Sequence, residues 1–241
     1  MQIRLFADVP LRVGGQALLS EAQRHYLKNV LRANAGAQVF LFNGKDGEFC
    51  GRIGVLDKKT AQIDVLTQTG EQEYPRSVFL YFTPLKRDCT DLLMQKAAEL
   101  GVTHLCPVLT DYTAVSRINF DRAKSIVIEA AEQSRRLTVP EILPLRPLKE
   151  ILANRKEKDG ILFHLDETGQ GKGFAQAVQA VDKKFPVSFL IGPEGGFSDE
   201  ERQKLKQTPF TQGISLGKHI LRAETAAIAA LSGLLCLTQS E

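Results

Sequence analysis

The 241-residue chain has little that would anchor it to a membrane, a metal or an oxidising compartment. Its four cysteines, at 50, 89, 106 and 236, form no C-x-x-C pair. That excludes the usual zinc spacing, argues against a disulfide framework and suits a reducing environment, so no metal is expected. No basic-then-apolar segment opens the sequence, and a cytoplasmic location is expected. The longest nearly apolar run, 226–237, is well short of the ~20 residues that span a bilayer. Repeats and low-complexity tracts are absent. The four histidines (25, 104, 164, 219) are scattered with no Ser-His-Asp order, and His104, within an apolar run, reads as structural. The net charge of +3 permits an anionic partner without demanding one.

What remains is an ordinary globular composition, 43% hydrophobic and 24% charged. Two textures divide it. Residues 1–70 hold one helix signal, a Ser20/Gln23 capping box predicting a helix to about Arg32, and several short alternating runs separated by Gly, Asp and Asn turns. These predict a small β-barrel, with GEQEYPRS (70–77) as the link to a second domain over 71–241. From Ser77 the pattern becomes α/β: SVFLYFTP, a helix over 88–100, THLCPVL, a helix over about 120–136, GILFHL, a short helix near 173–182, VSFLI, a helix from about Asp199, GISL, and a terminal helix. Strands apolar on both faces, alternating with helices, predict a mostly parallel sheet covered on both sides.

Ligands of such sheets gather at the carboxyl ends of strands. Two of these ends are rich in glycine: LIGPEGGFSDEE (190–201), with a Ser198/Glu201 capping box, and SLGKHILRAETAAIAA (215–230). They are expected on neighbouring strands. GPEGGF is not G-x-G-x-x-G. GQGKG (169–173) fails as a phosphate loop, because Asp166 stands where the first glycine belongs and Gly173 replaces the Ser/Thr. A pocket here offers backbone N–H and C=O groups and few charges, which suits a flat heterocycle better than a triphosphate. The charged, polar trio Arg222, Glu224 and Thr225 stands at the mouth of an alanine-rich helix that looks too apolar to face water.

At this point a resemblance enters. LIGPEGGFS, SLGKHILRAETA, QKAAELGV (95–102) and EAAEQSRRLTVPEI (129–142) are similar to the signature segments of the ribosomal small subunit methyltransferase E family, of the SPOUT class. HYLKNVLRANAGAQVFLFNG (25–44) resembles that family's RNA-binding domain, and the likeness covers nearly the whole chain in order. It implies a PUA-like barrel and a SPOUT α/β domain with a deep trefoil knot, a homodimer, and methyl transfer from S-adenosyl-L-methionine to N3 of one uridine in the 16S rRNA of the small ribosomal subunit.

Carried over residue by residue, the resemblance places the cofactor among Leu165, Ile191, Gly192, Gly195, Gly196, Leu216, Gly217, Ile220 and Leu221. Loss of the N3 proton spreads negative charge to the uracil oxygens, and a cation aimed at them stabilises the transition state. Arg222 is the candidate, its alternative being a pair with Glu224. Thr225 is a candidate for contact with the base or the cofactor, its alternative an ordinary first-turn hydroxyl. N3 lies on the pairing edge, so the base must be unpaired, and basic residues are expected along the approach. Lys28 and Arg32 on the first helix, with Lys86, Arg87, Arg135 and Arg136, fill that role, against the alternative of a solvated face. Residues 1–70 carry nine basic side chains against six acidic ones. Two other readings stay open: a non-catalytic RNA-binding or ribosome-assembly protein on the same scaffold, and a SPOUT enzyme acting on another RNA such as tRNA.

Overall fold

The computed structural model describes residues 2–166 and 171–238, and for Arg87 the backbone alone. Gly169 and Gln170 of GQGKG lie outside the described residues. The chain forms two compact units, Met1–Tyr74 with Ala131–Val139, and Pro75–Ala130 with Pro140–Glu241. The division falls a few residues beyond the sequence boundary, and a short central segment returns to the first unit.

In the first unit, β1 (Arg4–Phe6), β2 (Gln16–Leu18), β3 (Gln38–Phe42), β4 (Glu48–Leu56) and β5 (Ala61–Gly70) form one sheet in the order β1-β3-β4-β5-β2. Three register shifts interrupt the β4–β5 ladder, and such bulges add twist and bend, which curls the sheet around its own apolar face. That face carries Leu5, Val39, Leu41, Phe49, Ile53, Ile63 and Val65. Ser20 caps α1 (Glu21–His25), its hydroxyl accepting from the Gln23 N–H while the Gln23 side chain returns to the Ser20 N–H. The helix continues as a π-helical turn over Tyr26–Val30, which drops Leu27 into the core at zero exposure.

Arg4 is the polar centre of this unit. Its guanidinium donates to the Glu48 carboxylate at 2.8 Å, to the Ala131 carbonyl at 2.9 Å and to the Arg136 carbonyl at 2.7 Å. It also lies 3.9 Å from the centre of the Phe42 ring. The Phe6 N–H donates to Glu132 at 2.8 Å. These bonds hold residues 131–139 to a strand more than a hundred residues earlier.

The second unit contains β6 (Val78–Phe82), α2 (Arg87–Glu99), β7 (His104–Leu109), most of α3 (Phe120–Ser134), β8 (Glu141–Ile142), β9 (Arg146–Pro147), α4 (Leu148–Ala153), β10 (Ile161–Leu165), β11 (Lys172–Gly173), α5 (Phe174–Gln179), β12 (Val187–Ile191), α6 (Asp199–Gln207), β13 (Thr211–Ser215) and α7 (Ala223–Thr238). The strand order is β11-β13-β10-β12-β6-β7-β8, and every pairing among the described residues of this sheet is parallel. All five residues of β12 are buried, as expected of a strand covered on both faces. One expectation needs correcting. The strands leading into the two glycine loops, β12 and β13, are not neighbours, because β10 is paired between them.

His104 is structural, as its place in a strand led us to expect. Its ring stacks on Phe79 at 4.1 Å, Nδ1 lies 2.8 Å from the Thr103 hydroxyl, and burial pushes its pKa down. Helix α7 turns Ala223, Ala226, Ala227, Ala230, Leu231 and Leu234 inward against α2, α5 and β12. Ile228, Ala229, Leu235 and Leu237 stay half-buried. No helix among the described residues is long and apolar enough to cross a membrane.

Candidate active site

Three strand ends meet at the carboxyl edge of the second sheet. Beyond Leu165 the pairing of β10 continues for one more bond, from the Asp166 N–H to the Ile214 carbonyl at 2.8 Å. Beyond Ile191 the chain turns at once. The Gly196 N–H donates to the Pro193 carbonyl at 2.9 Å, and Gly196 has φ +69°, a conformation costly for a residue with a Cβ. Ser198 and Glu201 form the expected capping box on α6. Glu201 is 7% exposed, and one of its oxygens accepts from the Ser198 N–H and the other from the Asp111 N–H, each at 3.0 Å. The Ser198 hydroxyl bonds the Asp111 carboxylate. The glycine turn is thereby clamped between the cap of α6 and the loop after β7. Beyond β13, the Ser215 hydroxyl accepts from the Gly217 N–H and donates to the Gly217 carbonyl, each at 3.2 Å, while Gly217 takes φ +119°.

Together these ends enclose a cleft of about 420 Å³, within the size range of small-molecule sites. Leu165, Ile191, Gly192, Gly195, Gly196, Leu216, Gly217, Ile220 and Leu221 all line it, with Arg222. Ile220 is 82% exposed and sits at the rim rather than forming an inner wall. Thr225 does not line the cleft and is exposed, because the inward stripe of α7 runs through 223, 226 and 227 and turns 225 away. Asp166, Pro193, Glu194, Ile214, His219, Ala223 and Ala226 complete the lining. In the sequence Asp166 stands out only as the residue that breaks a phosphate-loop pattern.

Arg222 stands immediately before α7, and its carbonyl accepts from the Ala226 N–H at 2.8 Å. The backbone is thus fixed while the side chain is exposed. Among the described residues no carboxylate pairs with this guanidinium, Glu224 included. No group of three His, Cys, Asp or Glu could hold a metal ion among the described residues.

Of the basic residues named from sequence, Lys28, Arg32, Arg135 and Arg136 belong to the first unit and Lys86 and Arg87 to the second. Lys28, on the π-helical turn, is half-buried, and Arg32 is exposed with φ +51°. Lys86 is exposed at the start of α2, and the Arg87 side chain lies outside the described residues. Arg135 is exposed with φ +61°, but Arg136 is half-buried, donates to the Thr138 hydroxyl at 3.1 Å, and has its pKa pulled down to about 10 by burial. Arg136 is held by its own unit and is the least available of the six for a phosphate.

Comparison with known proteins gives this geometry a lineage. An RNA methyltransferase domain matches residues 72–235, and an RNA methyltransferase PUA domain matches residues 19–66. The ribosomal RNA small subunit methyltransferase E of Rickettsia conorii is 32% identical over 215 residues, 89% of this chain and 87% of that protein. The chain belongs to the ribosomal RNA small subunit methyltransferase E family. The member from Neisseria gonorrhoeae, solved bound to S-adenosyl methionine, superposes with a TM-score of 0.87 at 31% identity over 98% of both chains. A methyltransferase from Legionella pneumophila, solved with the same cofactor, gives 0.85 at 31% identity, again over 98% of both. The fold is that of the SPOUT methyltransferases with an N-terminal PUA domain, as the sequence motifs led us to expect.

The two adjacent glycines differ in backbone conformation, so replacing each tests something different. Gly196→Ala places a Cβ at positive φ and is expected to cost about 1–2 kcal/mol in urea unfolding. Gly195 is not at positive φ, and a methyl built on it would rest 3.5 Å from Tyr112 Cβ, an ordinary contact. Gly195→Ala is expected to fold as stably as the parent and to show its effect in cofactor affinity. A Gly196→Ala variant as stable as the parent would contradict the strain argument.

Proposed function

We propose that this chain transfers a methyl group from S-adenosyl-L-methionine to N3 of a uridine in 16S rRNA of the small ribosomal subunit. The observation that carries it is the strand-end cleft with Arg222 at its mouth, unpaired among the described residues, in a chain of this family. Leu165, Ile191, Leu216 and Leu221 offer apolar walls for the adenosyl group. The backbone groups of residues 192–196 and 216–221 offer hydrogen bonds to its heterocycle. The bound cofactor supplies an electrophilic methyl group, and the protein supplies position and charge. Arg222 stabilises the negative charge left on the uracil oxygens as N3 gives up its proton. Thr225, turned away from the cleft, is left with contact to the RNA rather than to the cofactor.

The test is primer extension on 16S rRNA from cells lacking the gene. A base methylated at N3 cannot pair and stops reverse transcriptase, so the purified protein with S-adenosyl-L-methionine is expected to restore a stop on small subunits. No stop, together with no cofactor binding by calorimetry, would favour a non-catalytic RNA-binding role. Methylation of tRNA in place of 30S subunits would shift the substrate.

The same proposal includes a cytoplasmic location, a homodimer and a trefoil knot. The half-exposed apolar residues on the outer side of α7 support a second subunit there, and sedimentation at the single-chain mass of 26.6 kDa would remove it. β13 pairs outside β10 while α7 packs back onto β12 and α2, a return that supports a threaded C-terminal segment. Lys28, Arg32, Lys86, Arg87 and Arg135 are proposed phosphate contacts. Each true contact steepens the salt dependence of RNA binding, by roughly 0.7–0.9 in the log–log slope. A slope unchanged in Lys28→Glu/Arg32→Glu would exclude that pair.

A further inference from the structure

The cofactor cleft has apolar walls, one cation and one exposed imidazole, His219, but among the described residues that line it no phenyl or phenol ring faces a base that has left its stack. Such a face lies just outside, on the loop after β7. We infer that Tyr112 is the surface on which the target uracil stacks as it enters the cleft. This rests on the proposed uridine methylation and names a residue for it that the family motifs in the sequence did not single out.

Three observations support it. The first is place. β7 ends at Leu109, so its loop emerges at the same carboxyl edge as the cleft, and Tyr112 packs on the outer flank of the glycine turn. A methyl on Gly195, which lines the cleft, would rest 3.5 Å from Tyr112 Cβ and 3.8 Å from Cδ2.

The second is rigidity. The Thr110 N–H donates to the Thr113 hydroxyl at 2.7 Å, the Thr113 N–H returns to the Thr110 carbonyl at 3.1 Å, and the two hydroxyls lie 2.9 Å apart. Asp111 is tied to both Glu201 and Ser198. A turn bonded on both sides of Tyr112 sets the backbone position from which that side chain projects.

The third is exposure. Tyr112 is 56% exposed, and its hydroxyl has no partner among the described residues. An aromatic ring held open on a fixed turn beside a cleft is what an extruded base needs. The base loses its stacking neighbours on leaving the helix and regains one on an aromatic face.

The proposal predicts which replacements are tolerated. Tyr112→Phe keeps the ring. Tyr112→Leu keeps bulk against Gly195 but has no π-face, and Tyr112→Ala has neither. With 30S subunits as the varied substrate and cofactor saturating, Tyr112→Ala and Tyr112→Leu are expected to raise KM roughly 5- to 150-fold, the range for one lost base–aromatic stack. Tyr112→Phe is expected to match the parent, and calorimetry should show the same affinity for S-adenosyl-L-methionine in all four proteins. A parental KM in Tyr112→Leu would overturn the stacking role, as would a loss of cofactor affinity that accounts for the change in KM, since Tyr112 would then only buttress Gly195. The parent enzyme's reverse-transcription stop is the control: if the parent gives none, the uridine-methylation reading fails, whatever Tyr112 does.

Discussion

Replacing Arg222 with alanine is expected to lower kcat on 30S subunits by about 10²–10³-fold, the usual cost of removing one preorganised donor aimed at developing negative charge. Two features of its setting support so large an effect. The backbone is anchored, because the Arg222 carbonyl closes the first turn of α7. The side chain is uncommitted, so its loss removes no structural bond among the described residues and the fold should be unaffected. Single-turnover assays at saturating cofactor isolate the chemical step, and calorimetry should show cofactor affinity little changed. Arg222→Lys keeps the charge but loses the planar fork, so an intermediate rate is expected. A kcat for Arg222→Ala equal to the parent's would remove Arg222 from the chemistry and leave it a rim residue.

Arg4→Ala is expected to give the largest loss of stability, about 3–5 kcal/mol, the range for removing one partner of a buried charge pair. The Arg4 side chain is 5% exposed against 20% for Glu48, so truncation strands a largely buried carboxylate. It also strips the Ala131 and Arg136 carbonyls of their donor and leaves a gap over the Phe42 ring. Urea unfolding followed by circular dichroism measures this. The double replacement Arg4→Met/Glu48→Gln should recover part of the loss, because it removes the stranded charge. A cost near zero for Arg4→Ala would mean that residues 131–139 are held without the Arg4 guanidinium, by contacts such as the Phe6–Glu132 bond.

That latch also marks where sequence reading runs out. The capping boxes at Ser20 and Ser198 were visible because their partners lie three residues away. The strands were visible because apolar runs and glycine turns are local. Arg4 reads as one more surface cation, since its partners sit 44, 127 and 132 residues away. For the same reason 131–136 read only as the end of a helix of the second domain. The placement of β10 between β12 and β13 was hidden too, because nothing local in a parallel strand records which strand lies beside it. The nine residues proposed for the cofactor, all of which line the cleft, were legible from strand ends, glycines and the family motifs combined. Helical phase was not read for Thr225: it turns this side chain away from the cleft that Arg222 lines, which leaves only the base contact of the two considered. Tyr112 could have been found by the rule that picked out the glycine loops, since TDYT also follows a strand end.

The strand order has a consequence in time. β10 and β12 can pair with each other and with β6 and β7 once the first 191 residues exist. The second wall of the cleft, together with Arg222, arrives only with residues 211–226, on the far side of β10. A nascent chain halted before Thr211 has a partly formed sheet and half a pocket. With the cofactor site as proposed, the ability to hold a methyl donor is acquired last, when the final strand pairs beside one made some fifty residues earlier, and a chain ending before Thr211 is expected not to bind S-adenosyl-L-methionine.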